Sequence, residues 1–297
     1  MTYFIINPSA GSGKSKAAVP IIEKVMSEHN AEYSLVYTDT PEDFNRISGL
    51  IDFSAAKTIV CVGGDGTVQE YVGLTVGRNI NFGIIPAGSG NDLIHSIPDS
   101  RQKFLDFEEK IKFYTERIIK NKSIYVDAVC VNGEKYFFNI GGTGIDIQVL
   151  KDALPLKKFF GRTSYFLSLI KNVITYTAFE ITLTIDNKSE TDKFLLLAIC
   201  NGAYYGGGMY IAPPAVINDG FITLCKTKKM PKYKLMAMFP RVKSGGHTNL
   251  KEVSFINCSS VKLEFAGQKT INLDGNLFEF ESPLTFEIVK DSVRLII

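Results

Sequence analysis

Within the first hundred residues, short runs of consecutive apolar residues alternate with segments whose apolar residues recur at helical spacing. No other feature restricts the fold as much. Residues 3–6, 33–37, 58–62 and 82–85 read as buried strands. Residues 16–29, where Ala18, Ile21, Ile22, Val25 and Met26 share a face, read as a helix, as do 41–50 and 68–76. Strands that are apolar throughout need cover on both faces. The pattern therefore predicts a three-layer α/β domain around a mostly parallel sheet. Such sheets take ligands beyond the carboxyl ends of their strands, which here are the loops 7–14, 38–40, 63–67 and 86–92.

After a helical segment at 101–115, the pattern changes near residue 125 to strand-like alternation with hairpin signals at Asn132-Gly133 and Asp186-Asn187. One helix, 162–176, interrupts it, and the expected architecture is β-rich and mainly antiparallel. A chain of 297 residues exceeds what one core usually serves. The expected division is a nucleotide-binding domain at 1–124 and a second domain at 125–289, with the apolar end at 290–297 able to return to the first.

Composition removes several classes. A net charge of +2 with 45% hydrophobic residues excludes general disorder and gives no bulk electrostatic footprint for nucleic acid. The five cysteines are scattered among apolar neighbours without a CxxC pair, as expected of a reducing compartment. The opening MTYFIINPSAGSGKS lacks the apolar run of a signal peptide, and no segment approaches a membrane span. A cytoplasmic protein with peripheral membrane contact is expected.

Three glycine-rich turns carry the chemistry. Cys61-Val-Gly63-Gly64-Asp65-Gly66-Thr67 closes a buried strand and opens a helix, where backbone N–H groups can approach phosphate. A carboxylate there repels phosphate unless it holds a metal ion or accepts a proton, both of which phosphoryl transfer needs; a plain Asp-Gly turn is the bland alternative. Pro86-Ala-Gly88-Ser89-Gly90-Asn91-Asp92 repeats the arrangement, with Ser89 able to donate to phosphate, Asn91 able to cap the next helix and Asp92 as a second acid. In the third, 7–15, Pro8 stands where a P-loop requires glycine; what remains is a turn offering Lys14 to phosphate, or a solvated turn.

Gly63-Gly-Asp-Gly-Thr67 followed by Glu70, then Pro86-Ala-Gly-Ser-Gly-Asn-Asp92, resembles the catalytic domain of the soluble diacylglycerol kinase and lipid kinase family, which includes sphingosine kinases and is similar in fold to NAD kinases. Supporting matches are Asn7-Pro8, 161–165, 217–221 and Leu273-Asp-Gly275. The resemblance implies an ATP-dependent lipid kinase with its site in the interdomain cleft. It implies nucleotide contacts at Asn7, Thr38, Gly64 to Glu70 and Ser89, and the two acids in the glycine turns lead us to expect Mg²⁺ near Asp65 and Asp92. It also implies a structural cation on Asp219 with the carbonyls of Val216 and Phe221, although Asn218-Asp219-Gly220 also reads as a simple turn.

One departure stands out: the family's late Asp-Gly-Glu motif ends here in Asn276, and an amide cannot act as a general base. Either Asp274, the first choice, or Asp65 takes the lipid proton, or the chain is a weak kinase or a non-catalytic relative. Phe159, Phe160, Tyr204, Tyr205 and Tyr210 are candidates for an acyl path. Lys151, Lys157, Lys158 and Arg162 could rest on a membrane or form a solvated helix face. An NAD kinase and a nucleotide- or lipid-binding regulator are the rival readings, and a homodimer is left open.

Overall fold

The computed structural model describes residues 1–38, 43–88, 90–97, 106–160, 168, 171–173 and 175–297, with the side chains of 153–160 not included. Its elements in chain order are β1 (Thr2–Ile6), α1 (Lys14–Glu28), β2 (Tyr33–Tyr37), α2 (Phe44–Leu50), β3 (Thr58–Gly63), α3 (Asp65–Val72), β4 (Asn81–Pro86), α4 (Asp92–Ser96), α5 (Phe107–Lys120), β5 (Ser123–Val131), β6 (Lys135–Phe137), β7 (Ile140–Gly144) and α6 (Ile145–Phe160). Then follow β8 (Phe179–Ile185), β9 (Lys188–Cys200), β10 (Tyr204–Tyr205), β11 (Met209–Tyr210), β12 (Ile222–Lys228), α7 (Lys232–Val242), β13 (Val253–Cys258), β14 (Ser260–Glu264), β15 (Gln268–Leu273), β16 (Asn276–Glu281) and β17 (Leu284–Ile296).

The N-terminal sheet runs β2-β1-β3-β4, parallel throughout. Every residue of β3 and β4 is buried, as expected of strands covered on both faces. The helix of the first glycine turn starts earlier than the spacing predicts, at Asp65 rather than 68, so the acid sits in its first turn. The helix expected at 101–115 is observed as α5, while 98–105 lie outside the described residues, as do 39–42 at the start of the expected helix 41–50. Most of the helix expected at 162–176 also lies outside them.

The C-terminal domain is antiparallel and β-rich. β7, β9, β8 and β14 pair in succession; β12 and β13 branch from β9, and the β15–β16 hairpin extends β7. Both hairpin signals hold. Asn132 and Gly133 turn β5 into β6, and Asp186 and Asn187 turn β8 into β9, all four at positive φ. From Leu196 onward, buried β9 residues alternate between two cores, with Leu197 and Ile199 in one and Leu196, Ala198 and Cys200 in the other. Two helices absent from the sequence reading, α6 and α7, cover the second core. α6 follows a glycine-rich strand, and α7 contains Pro240, so neither carries an ordinary helix signature.

The C-terminal strand joins the two halves. β17 pairs antiparallel with β5 along most of its length, and near its end Arg294 and Leu295 pair in parallel with Asn81 and Phe82 of β4. The ladder is interrupted between Val289 and Val293, where the carboxylate of buried Asp127 accepts from the backbone N–H of Asp291 (2.8 Å) and of Gly220 (2.7 Å).

Candidate active site

The first two glycine turns meet at the carboxyl ends of β3 and β4. Their backbones touch: a Cβ on Gly88 would lie 2.3 Å from Gly64 Cα, a contact no side chain can make. Asn91 does not cap α4 as its position predicts. It takes a left-handed φ of 58°, and its amide closes its own turn, accepting from Gly88 N–H (3.0 Å) and donating to Gly88 O (2.9 Å). Asp65 from the other turn supplies the cap, its Oδ1 accepting from Leu93 N–H at 3.2 Å.

Asp65 and Asp92 flank Gly90, where a Cβ would lie 2.9 Å from Asp65 Oδ2 and 3.5 Å from Asp92 Oδ2. Burial, followed by the charge of Asp92, pushes the Asp65 carboxyl up to about 6 despite the backbone N–H groups it receives. Asp92 itself reaches across to the second domain. Its two oxygens accept from Gly207 N–H (2.8 Å) and Gly208 N–H (2.6 Å), in the triglycine turn between β10 and β11. It therefore fastens that turn over the site.

Asp274 is likewise engaged. Its carboxylate accepts from the backbone N–H groups of Phe138 (2.7 Å), Asn139 (3.0 Å) and Ile140 (2.8 Å), which occupy most of its lone pairs. Burial, aided by the charge of Asp65, pushes it up to about 7. Asn276 docks on α3: its Nδ2 donates to Gly66 O (3.2 Å) and to Gln69 Oε1 (2.7 Å), while Gln69 Nε2 donates to Tyr136 O (3.2 Å). The amide at this position thus anchors the first turn of α3 to the β15–β16 hairpin, a role the sequence alone did not show.

Asp146, at the start of α6, is an acid the sequence reading missed. Burial pushes it up to about 6, against side-chain hydrogen bonds with Tyr205 and Asn272, and its Oδ1 has no partner among the described residues. The signal was present: Gly141-Gly142-Thr143-Gly144 is a further glycine-rich strand leading into a helix.

These groups share one cavity of about 500 Å³. Asp65, Asp92, Asp146 and Asp274 line its polar part together with Gly64, Gly66 and Asn276. The remainder is apolar, walled by Val149 and Leu150 of α6, Leu195 and Leu196 of β9, and Leu235, Met238, Phe239 and Val242 of α7. Tyr205 lines it too, whereas Tyr204 and Tyr210 stack on each other with ring centroids 4.5 Å apart. The side chains of Phe159, Phe160, Lys157 and Lys158, and Arg162 altogether, lie outside the described residues. Lys151 donates to Thr270 Oγ1 (2.8 Å).

The other expected nucleotide contacts border the same strand ends. Asn7 Nδ2 donates to Thr67 Oγ1 (3.3 Å), and Gly63 leaves room for that hydroxyl, since a Cβ there would lie 2.5 Å from it. Lys14 begins α1, and Thr38 N–H donates to Ile6 O (2.9 Å). Glu70, on α3, lies beside Tyr71 and Asp43; burial, then the charge of Asp43, pushes it up to about 7, and its Oε1 is unpartnered among the described residues. Ser89 lies outside the described residues.

Among the described residues no three acidic, histidine or cysteine side chains are close enough to enclose a metal. The polar end of the cavity nevertheless gathers acids whose raised pKa values reflect burial and mutual repulsion, a setting a divalent ion would relieve. It fits Mg²⁺ held by few protein ligands, with waters and phosphates completing the shell. Asp219 stands apart from this cavity. Its Oδ1 accepts from Phe221 N–H (3.0 Å), Val216 and Phe221 are exposed, and Lys290 Nζ lies 5.1 Å from the Phe221 ring centroid.

A parallel α/β half is thus joined to an antiparallel β half, with acids and glycine turns at the mouth of an apolar cavity, and comparison with known proteins identifies the family. Residues 1–131 match the diacylglycerol kinase catalytic domain, and residues 140–297 match the YegS C-terminal NAD kinase beta sandwich-like domain. A diacylglycerol kinase of Mycobacterium tuberculosis (strain H37Rv) is 28% identical over 289 residues, covering 96% of this chain and 90% of that protein. One of Bacillus subtilis (strain 168) is 24% identical over 274 residues, covering 91% and 88%. A crystal structure of a diacylglycerol kinase from Bacillus anthracis shares the fold with a TM-score of 0.78 at 22% identity, covering 99% of this chain and 96% of that one. The chain belongs to the diacylglycerol kinase and YegS-like lipid kinase family.

Proposed function

We propose that this protein is an ATP-dependent lipid kinase that transfers the γ-phosphate to the hydroxyl of diacylglycerol or a related lipid, at the periphery of the cytoplasmic membrane. The observation that carries this reading is the single cavity with acids at one part and an apolar lining elsewhere. A hydroxyl on an acyl-bearing lipid can sit among the acids while its chain is buried, at roughly 0.8 kcal/mol per buried methylene. NAD, the acceptor of the rival reading, would leave the wall of α6, β9 and α7 without a complementary surface.

In this reading the domains are 1–124 and 125–289, with 290–297 added to the first through β4. The nucleotide lies along Asn7, Lys14, Thr38, Gly63 to Thr67, Glu70 and Gly88 to Asn91, where the turns present backbone N–H groups to phosphate. Mg²⁺, held near Asp65, would neutralise charge developing on the transferred phosphoryl group. Asp65, which lines the cavity between Gly64 and Gly66 of the phosphate turn, accepts the lipid proton, whereas the Asp274 carboxylate is taken up by the backbone N–H groups of 138–140. Asp274 and Asp92 hold the 138–140 segment and the triglycine turn in place through their N–H contacts. Asn276 positions α3, so the missing family carboxylate does not remove the proton acceptor. A structural cation in the second domain would be held by the Asp219 carboxylate and the Val216 and Phe221 carbonyls.

The test is incubation with γ-labelled ATP, Mg²⁺ and separate acceptors: diacylglycerol, phosphatidylglycerol, a long-chain base and NAD. Label in a lipid product supports the reading. Label in NADP alone, or nucleotide binding without any product, overturns it.

A further inference from the structure

The outer side of the cavity wall carries an unusual charge distribution. Residues 226–251 contain eight of the 33 Lys and Arg and none of the 31 Asp and Glu, so the rest of the chain is net acidic. α7 runs through this segment. Leu235, Met238, Phe239 and Val242 face the cavity, while Tyr233 (76% exposed) and Met236 (50% exposed) face outward with Ala237 and Pro240. Both sets follow the i, i+3, i+4, i+7 spacing of a helix face. A surface helix that is apolar on both sides has one face unexplained by the core. Glu252 pairs with Lys234 and Asp192 with Lys228, but Lys229, Arg241, Lys243 and Lys251 remain exposed around the same helix. At 11 residues α7 is too short to span a bilayer, and an amphipathic helix of aromatic, thioether and basic residues suits its interface.

We propose that the outer face of α7 docks on an anionic phospholipid bilayer. Tyr233 and Met236 enter the boundary between headgroups and acyl chains, and the surrounding Lys and Arg lie on lipid phosphates. Docking there would set the apolar wall of the cavity about one helix diameter, roughly 10 Å, from the membrane that supplies the acceptor. The purpose of the contact rests on the lipid kinase reading, while the contact itself rests on the exposure and charge of α7. A nucleic acid would satisfy the charges but would leave Met236, Ala237 and Pro240 without matching apolar surface.

Co-sedimentation of the full chain with vesicles of phosphatidylglycerol and phosphatidylcholine, without nucleotide, tests the proposal. The wild-type chain should bind these and not phosphatidylcholine alone. Neutralisation of three exposed charges (Lys229→Gln, Lys243→Gln, Lys251→Gln) should lower partitioning about 100-fold, and Tyr233→Ser with Met236→Ser about tenfold. Circular dichroism should match wild type, and so should the rate with a water-soluble short-chain acceptor. Wild-type partitioning by either variant overturns the proposal, as does binding of the unmodified chain to duplex DNA but not to phosphatidylglycerol vesicles. If partitioning behaves as expected while no acceptor is phosphorylated, docking stands and the kinase reading falls.

Discussion

Asn276→Asp separates two meanings of position 276. If a carboxylate is missing there as a base, restoring one should raise activity; if Asn276 is an anchor, the same change should damage the fold. The side chains are isosteric, so the perturbation is confined to replacing Nδ2 by an acceptor. Nδ2 donates to Gly66 O and Gln69 Oε1, and in the variant both face a negative oxygen. Two neutral hydrogen bonds are worth about 1 kcal/mol each, and a carbonyl left without a partner costs about 1 to 3 kcal/mol more. Gln69 can turn its amide to donate to the new carboxylate, but only by giving up Tyr136 O. With the site only partly buried, the expected loss is about 2 to 3 kcal/mol at pH 7. Urea unfolding should show it as a lower midpoint at unchanged slope. The loss should shrink at acidic pH, where the introduced carboxyl group is protonated and regains a donor. Unchanged stability with faster lipid phosphorylation would refute the anchor.

Three further outcomes follow from the same geometry. Asp65 and Asp274 have folded pKa values of about 6 and about 7, above the unfolded value of 3.8, so the folded state holds extra protons between these limits. The ligand-free protein should therefore lose thermal stability as pH rises through that window, and Mg²⁺ with a non-hydrolysable ATP analogue should stabilise it at pH 8 far more than at pH 5, as scanning calorimetry would show. Gly88→Ala, which drives a Cβ to 2.3 Å from Gly64 Cα, should separate the two turns and lower nucleotide affinity at least tenfold in a titration; unchanged affinity would contradict the shared phosphate site. Val242→Phe should fill the apolar wall and reduce phosphorylation of long-chain diacylglycerol several-fold while sparing a short-chain one, and equal effects on both would argue against chain burial there.

The N-terminal sheet was legible because burial on both faces forces uninterrupted apolar runs such as 58–62, and the hairpins because Asn132-Gly133 and Asp186-Asn187 accept positive φ. Pairing of β17 with β4 was not legible, since an apolar strand end records its burial but not its neighbour. The glycine turns marked Asp65 and Asp92, yet only coordinates show that Asp92 and Asp274 spend their oxygens on backbone N–H groups of distant segments. Asp146 had a signal in the preceding glycines. The pairing of Asn276 with Gln69 had none, because two amides 207 positions apart look like any polar residues until folding brings them together. α7 carried its cavity face and its exposed face in one apolar stretch, which periodicity alone cannot divide.

The central claim is that the acids at the mouth of the apolar cavity transfer phosphate to a lipid hydroxyl with Asp65 at the centre. The most direct measurement is single-turnover transfer from γ-labelled ATP to diacylglycerol by wild type and Asp65→Asn, with nucleotide binding measured alongside. The account predicts labelled phosphatidic acid from wild type, and a loss of at least 100-fold in the variant while its fold is kept. Transfer by Asp65→Asn at the wild-type rate, or label appearing in NADP and not in lipid, would contradict it.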